Sequence, residues 1–221
     1  RLLDLPVAAE PARRARWDRQ LGEACFALGD LATCAVHVQR SLDQLGHTLP
    51  ASKLGWATTV AGGIGGQLWS RSLGRRRARA GDAPTVEAAL AAARMASCYF
   101  FKGDSLGLIG SALAAVNLAE RAGVGVPIAE IYSQLGYIAG VARLGKVASA
   151  YFARSRETAK ATRDPAGLGR ALYSEAAFHV GVGAWPAARA AAEQGLALAT
   201  ELRNAQEVEV GHTILGHVMF S

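Results

Sequence analysis

Charged and aromatic side chains are both scarce in this sequence of 221 residues, at 19% and 7% of the chain. Residues that favour β-strands are sparse outside a few short clusters, which argues against a β-sandwich. Hydrophobic residues make up 51%, which excludes a disordered chain, and the 25 glycines show no three-residue period, which excludes collagen. Alanine, the strongest helix former, is abundant instead. The composition therefore predicts an all-α protein with small side chains at its helix contacts.

Cysteine is also rare, because the chain has only Cys25, Cys34 and Cys98. They form no CxxC motif, and any disulfide scheme leaves one of them unpaired. Free thiols in a reducing cytoplasm are the simplest interpretation, so the predicted location is cytoplasmic. We expect Cys25 and Cys34 to face each other across the first helical hairpin as a packed thiol pair, with a redox switch as the alternative.

Recognisable catalytic motifs are missing: the sequence has no GxSxG, HExxH, P-loop or EF-hand pattern. No cysteine or carboxylate completes metal-ligand spacing around the histidines, which are His37, His47, His179, His212 and His217. We therefore predict no catalytic residue, no metal and no cofactor in this chain, which we do not expect to be an enzyme by itself.

One stretch without charge, Leu54 to Ser70, tests whether the chain enters a membrane. A spanning helix needs about 20 mostly apolar residues, whereas this stretch is shorter and holds five glycines. Gly62 and Gly66 form a GxxxG motif, which packs helices closely in lipid. We interpret the stretch as a closely packed helix of a soluble protein, and membrane contact through 54–79 as the weaker alternative.

The net charge of +6 is partly local, because the run "RSLGRRRAR" at 71–79 supplies five arginines. Such a run could grip phosphates or acidic lipid, but a solvated loop or a helix end is the favoured interpretation. No aromatic residues are interleaved with these arginines, so no nucleic-acid partner is expected.

Short breaks between helical patterns recur along the chain, at Gly29-Asp30, Gly103-Asp104, Gly145-Lys146 and Gly183-Ala184. Their separations are 74, 42 and 38 residues. If the first separation spans two units, the period is about 37–42 residues, which is typical of repeated helical hairpins.

These breaks, with proline and glycine signals elsewhere, predict ten helices. Their expected bounds are 11–28, 31–45, 51–73, 84–102, 104–121, 126–144, 146–162, 166–182, 184–202 and 205–220. They give hairpins at about 11–45, 84–121, 126–162 and 166–202, an irregular extra helix at 51–73 and a partial repeat at 205–221. We expect one domain over 1–221. The chain lacks an initiator methionine and stops inside an apolar helical pattern, so we expect it to be part of a longer protein.

The first hairpin, "LGEACFALGDLATCAVHVQRSL", resembles the tetratricopeptide repeat (TPR), with Cys34 in place of the usual alanine. "ALYSEAAFHVGVGAWPAARAAAEQGLAL" resembles it as well. The resemblance implies an α-solenoid of antiparallel hairpins that wind into a right-handed superhelix, with the first helix of each pair lining a groove. Groove asparagines that hold chaperone carboxylates in some such domains are replaced here, which argues against that ligand class.

Side chains at the groove-facing positions would bind a protein, a peptide or a neighbouring domain of the same chain. Arginines and aromatic residues are what such a surface uses, although ordinary exposed or inter-repeat roles are an equal alternative. The candidate groove residues are Arg16, Arg19, Glu23, Phe26, Phe100, Tyr132, Arg143, Arg170 and Tyr173.

A second resemblance rests on "NLAERAG" at 117–123 and "LGRRRAR" at 73–79. Both are similar to the helical-repeat region of large bacterial signalling proteins. In those proteins a class III nucleotide cyclase or protein kinase domain precedes an AAA-type ATPase and a long repeat tail. The resemblance implies a non-catalytic interaction or regulatory domain, whose full-length protein carries the cyclase and ATPase activities. The alternative is the effector-binding solenoid of an ATP-dependent transcriptional activator.

Overall fold

The structure, a computed structural model, describes residues 11–50, 52–72, 83–122 and 128–220. Ten α-helices and no strand occur in these ranges. Every helix lies within three residues of its predicted bounds, and the all-α prediction is confirmed. The helices are α1 (Pro11–Ala27), α2 (Leu31–Gln44), α3 (Lys53–Ser72), α4 (Ala83–Lys102), α5 (Ser105–Ala122), α6 (Ile128–Val141), α7 (Gly145–Ala161), α8 (Pro165–Gly181), α9 (Trp185–Glu201) and α10 (Ala205–Met219).

Short polar side chains begin several of these helices by accepting a hydrogen bond from a backbone N–H of the first turn. Asp30 accepts from the Thr33 amide at 3.0 Å, and hydrogen bonds from the Thr33 side chain and from this amide lower the pKa of the Asp30 carboxyl. Three other residues act in the same way at α5, α8 and α10, namely Asp104, Asp164 and Asn204. The recurring aspartates of the sequence are therefore helix caps.

Two positions before the start of six helices, the residue has a left-handed backbone, which glycine adopts without strain. Such residues are Gly29, Gly103, Arg143, Arg163, Gly183 and Arg203. Gly103, Arg143 and Gly183 lie 40 residues apart. The turn predicted at Gly145-Lys146 is therefore misplaced by two residues, because the left-handed residue is Arg143 (φ 61°) and Gly145 already begins α7.

Residues of the chain contact one another in two compact units, Arg1–Val126 and Pro127–Ser221. In the first unit α1 pairs with α2 and α4 with α5, and α4 also packs against α1 and α2. Small residues make these contacts close, as expected: a Cβ on Gly22 of α1 would lie 2.7 Å from Val38 of α2. Cys34, Val38 and Ser41 are fully buried on one face of α2.

Helix α3 has no hairpin partner and packs against α5. The Trp56 ring of α3 lies directly on Gly110, and a Cβ on Gly63 would lie 2.9 Å from the Leu113 side chain. Asn117 of α5 donates a hydrogen bond to the Gly63 carbonyl at 3.3 Å. Gly63 therefore makes the close contact. Gly62 of the GxxxG motif faces open space. The second glycine of the motif, at position 66, lies outside the residues whose surroundings the structure describes.

The second unit repeats the arrangement of the first. Helices α6 and α7 form one hairpin and α8 and α9 the next, and α8 packs against both helices of the preceding pair. Helix α10 packs in the same way against α8 and α9. Within each unit, the first helix of a new pair thus lies on the previous hairpin. This is a helical repeat, and the right-handed superhelix stays a prediction.

No helix in the described ranges is both long and apolar enough to cross a bilayer.

Candidate interaction surface on the first unit

A buried carboxylate, Glu87 near the start of α4, holds two arginines of α1. The Nε atoms of Arg16 and Arg19 each donate to one oxygen of Glu87, both at 2.8 Å. Glu87 is only 4% exposed, and the Arg16 and Arg19 side chains are 49% and 15% exposed. Because α1 belongs to the first hairpin and α4 to the second, this cluster joins two neighbouring repeats.

A second ion pair lies further along the same two helices. Glu23 of α1 pairs with Arg94 of α4, and the Arg94 guanidinium sits 4.1 Å from the centre of the Phe26 ring. Four of the predicted groove residues, Arg16, Arg19, Glu23 and Phe26, thus come together on α1. The charges of Arg16, Arg19 and Glu23 are paired between hairpins, which is the inter-repeat alternative that the sequence left open.

An aromatic cluster continues from Phe26 towards the end of α4. The ring centres of Phe26 and Phe101 are 5.8 Å apart, and those of Phe101 and Phe100 are 5.4 Å apart. Phe100 and Phe101 are 42% and 61% exposed. We call Phe26, Phe100 and Phe101 the aromatic tip, since Phe100 and Phe101 come just before the turn at Gly103. Phe100 was predicted to be accessible, whereas the adjacent Phe101 was missed although the sequence "YFFKGD" contains both.

Helix α1 also carries an apolar stripe of its own. Trp17 and Leu21 lie one helical turn apart and are both 52% exposed, and Leu28, in the turn that follows the helix, is 85% exposed. Arg13 lies over the Trp17 ring at 4.9 Å. The first unit therefore exposes several large apolar side chains beside arginines.

Two tyrosines predicted for the groove are instead part of the core of the second unit. Tyr132 of α6 is 4% exposed and stacks on Tyr151 of α7, and Tyr173 of α8 is 5% exposed against Gly195 of α9. Burial raises the pKa of the Tyr173 hydroxyl. The prediction of open groove positions was wrong for both, because each ring faces the second helix of its own hairpin.

The two remaining candidates also lie in the second unit. Arg143 sits in the turn between α6 and α7, so it does not project from the first helix of its pair as expected. Arg170 of α8 pairs with Glu130 of α6 at 3.5 Å and keeps about a third of its side chain exposed. Arg170 therefore links two first helices and remains accessible.

A small cleft of about 210 Å³ opens in the first unit beside the loop between α2 and α3. Its lining includes the apolar side chains of Leu42, Leu49 and Leu118, together with His47 and Arg121. Ligand pockets usually hold about 300–1,000 Å³, so this cleft would take only a small molecule.

Cysteine packing differs from the sequence-based expectation. The Sγ atoms of Cys34 on α2 and Cys98 on α4 lie 3.3 Å apart, and both residues are fully buried. Cys25 is half-buried and is not the partner of Cys34. Burial, followed by the hydrogen bond with Cys98, raises the pKa of the Cys34 thiol to about 12. The predicted pair within the first hairpin is therefore wrong, and a pair between hairpins replaces it.

Among the described residues, no group of three or more His, Cys, Asp or Glu side chains is arranged to hold a metal ion. The basic run at 71–79 lies outside the residues whose side chains the structure describes. Comparison of the chain with models of known families, with curated proteins and with solved structures finds no match.

Proposed function

We propose that this chain is a non-catalytic helical-repeat domain that binds a protein or peptide through the aromatic tip of its first unit. The supporting observation is the exposure of Phe100 and Phe101 beside the Arg94–Phe26 contact. Aromatic residues and arginine are enriched where proteins bind each other, and large apolar side chains in contact with water favour association. Since the ion pairs below the tip fix α1 against α4, the tip is presented on an ordered support.

The wider role follows from the resemblance to bacterial cyclase–ATPase signalling proteins. In that setting the domain works in the cytoplasm, and its partner is a neighbouring catalytic domain or a separate signalling protein. Its effect is regulatory: it changes when the catalytic domains work, and their active sites lie elsewhere.

The aromatic tip is tested by the double substitution Phe100→Ala and Phe101→Ala in the full-length protein. The matched control is Phe220→Ala, which removes the same side chain at a position that is 94% exposed at the end of α10. We expect the double variant to lose its co-purifying partner at least tenfold, which corresponds to about 1.4 kcal/mol, while the control retains it. Equal retention by both variants would contradict the proposal.

The absence of catalysis is tested on the chain itself. Purified protein incubated with Mg²⁺ and ATP or GTP is expected to form no cyclic nucleotide above the level without protein. Turnover to cyclic AMP or cyclic GMP would overturn the non-catalytic assignment.

A further inference from the structure

The buried thiol pair between the two hairpins of the first unit has no part in the proposed docking surface. Cys34 and Cys98 are 64 residues apart in sequence, and their sulfur atoms are 3.3 Å apart between packed helices. A disulfide bond is about 2.05 Å long, so the two sulfurs must approach by little more than 1 Å to bond. Small rotations of two side chains on rigid helices can supply that movement.

We propose that Cys34 and Cys98 are a thiol–disulfide redox site, which a small peroxide converts into a covalent link between α2 and α4. In the first step the thiolate of one cysteine attacks hydrogen peroxide, and the sulfur gains OH as the O–O bond breaks and hydroxide leaves. In the second step the other thiolate attacks this sulfenic sulfur and displaces hydroxide, which forms the S–S bond. Overall, two thiols and one peroxide give one disulfide and two waters.

Geometry selects this pair over the pairings that involve Cys25. Cys34 and Cys98 are each other's neighbours, whereas Cys25 lies on α1 and is half-buried. Cys25 is therefore the more accessible to an added reagent, and Cys34 with Cys98 is the pair placed to bond. If accessibility decided the reaction, the product would contain Cys25. If proximity decides it, the product is the Cys34–Cys98 disulfide, so the product identifies which factor controls the reaction.

Burial of the two cysteines limits the rate of their oxidation. The pKa of Cys34 is raised to about 12, so little of it is thiolate at neutral pH, and both side chains are closed to solvent. Because the thiolate is the reacting form, oxidation is expected to be slow and to accelerate as the pH rises. The same closure protects the finished disulfide from reductants, so the link persists once it has formed.

The link would act on the support of the docking surface. Cys34 and Cys98 belong to the two hairpins that the Glu23–Arg94 pair also joins. A disulfide there holds α2 against α4 and restricts the separation of the hairpins that carry the aromatic tip. The redox chemistry itself stands on the two sulfurs alone and does not depend on the proposed partner.

The experiment uses the full chain carrying Cys25→Ser, which leaves only the proposed pair. After treatment with hydrogen peroxide and blocking of free thiols, peptide mass spectrometry without reduction is expected to show one cross-linked peptide joining Cys34 and Cys98. Its mass should be about 2 Da below the sum of the two peptides, since two hydrogens are lost. The melting temperature of the oxidised protein should rise by roughly 5–10 °C and return on reduction.

Two controls decide between the outcomes. The wild-type chain should give the same cross-link with Cys25 still free, and Cys98→Ser in the Cys25→Ser background should give none and no thermal shift. A wild-type disulfide that contains Cys25 would overturn the proposal. So would sulfinic acid on Cys34 or Cys98 without any cross-link, or a cross-link that forms only in denaturant.

Discussion

Replacing Glu87 with alanine removes the shared acceptor of two arginines, and its cost follows from how deeply each partner is buried. Arg19 is 15% exposed, and without Glu87 it would keep only its longer ion pair to Glu23, at 3.9 Å, while remaining largely closed to water. Arg16 is half-exposed and can turn to solvent instead. The substitution thus leaves the poorly exposed Arg19 with only a longer ion pair, and it releases the Arg16 charge to solvent.

Removing one partner of a fully buried ion pair typically costs about 3–5 kcal/mol, and an exposed pair contributes about 0.2–1 kcal/mol. Since solvent reaches Arg16, we place Glu87→Ala near the lower end of the buried range, at about 3 kcal/mol. Arg19→Ala should cost about 1–2 kcal/mol, because Glu87 keeps Arg16, and Arg16→Ala should cost less than about 1 kcal/mol. We therefore expect the cost to fall in the order Glu87→Ala, Arg19→Ala, Arg16→Ala.

Hydrogen exchange followed by mass spectrometry measures how much the Glu87→Ala substitution destabilises α1 itself. If α1 opens more readily by about 3 kcal/mol, its amides lose roughly a hundredfold of their protection. The matched control is Glu193→Ala in α9. Its bond to Arg189 is also 2.8 Å long, but the two side chains are 53% and 63% exposed. That substitution should lower stability by about 0.3–0.5 kcal/mol, the usual value for an exposed pair one helical turn apart.

Equal costs for Glu87→Ala and Glu193→Ala would refute the reasoning, because the two pairs share a distance and differ in burial. The same holds if Arg16→Ala proves more costly than Arg19→Ala. A double-mutant cycle on Glu87 and Arg19 separates their mutual energy from lost packing.

Four further substitutions test other parts of the fold. Gly110→Ala should lower the free energy of unfolding by about 1–3 kcal/mol in denaturant unfolding, because the added Cβ would strike the Trp56 ring. Its control Gly62→Ala, at a position that faces open space, should raise the free energy of unfolding by up to about 1 kcal/mol. Arg143→Gly should raise stability by about 1 kcal/mol in the same assay, since glycine relieves a left-handed backbone; a loss would show that the Arg143 side chain outweighs that strain. Asp164→Ala should cost about 1 kcal/mol of unfolding free energy by removing the cap of α8, and an unchanged value would contradict that role.

Helix positions could be predicted because their signals are local. Gly29-Asp30 combines a residue that tolerates left-handed backbone with a helix cap, and the pair marks a turn without knowledge of the neighbours. The same turn at Arg143 was not predicted because arginine is not a turn signal. The turn was placed instead at Gly145, two residues later, because glycine is one. Local reading therefore succeeds where the residue types match the backbone they adopt.

The side chains of the candidate surface depend on contacts between hairpins, which sequence spacing does not reveal. Helix α4 follows the irregular α3, so nothing in the local pattern indicates that Cys98 rather than Cys25 meets Cys34. For the same reason the buried acceptor Glu87 was missed, although its arginines were selected. The sequence indicates which face of its helix a residue occupies, whereas the residue that it contacts is known only once the packing of the repeats is known.

The spacing of the turns explains how such small side chains can hold a repeat together. Successive left-handed residues at Arg143, Arg163, Gly183 and Arg203 lie 20 residues apart, and helices α7, α8 and α9 have 17 residues each. A 34-residue TPR allows about 17 residues for a helix and its turn together, so each helix here is longer by nearly one turn. Alanine and glycine bury little apolar area per residue, and stability from burial scales with that area. The added turn in α7, α8 and α9 lengthens the contacts that these three helices make, which offsets the small side chains that let the helices approach so closely.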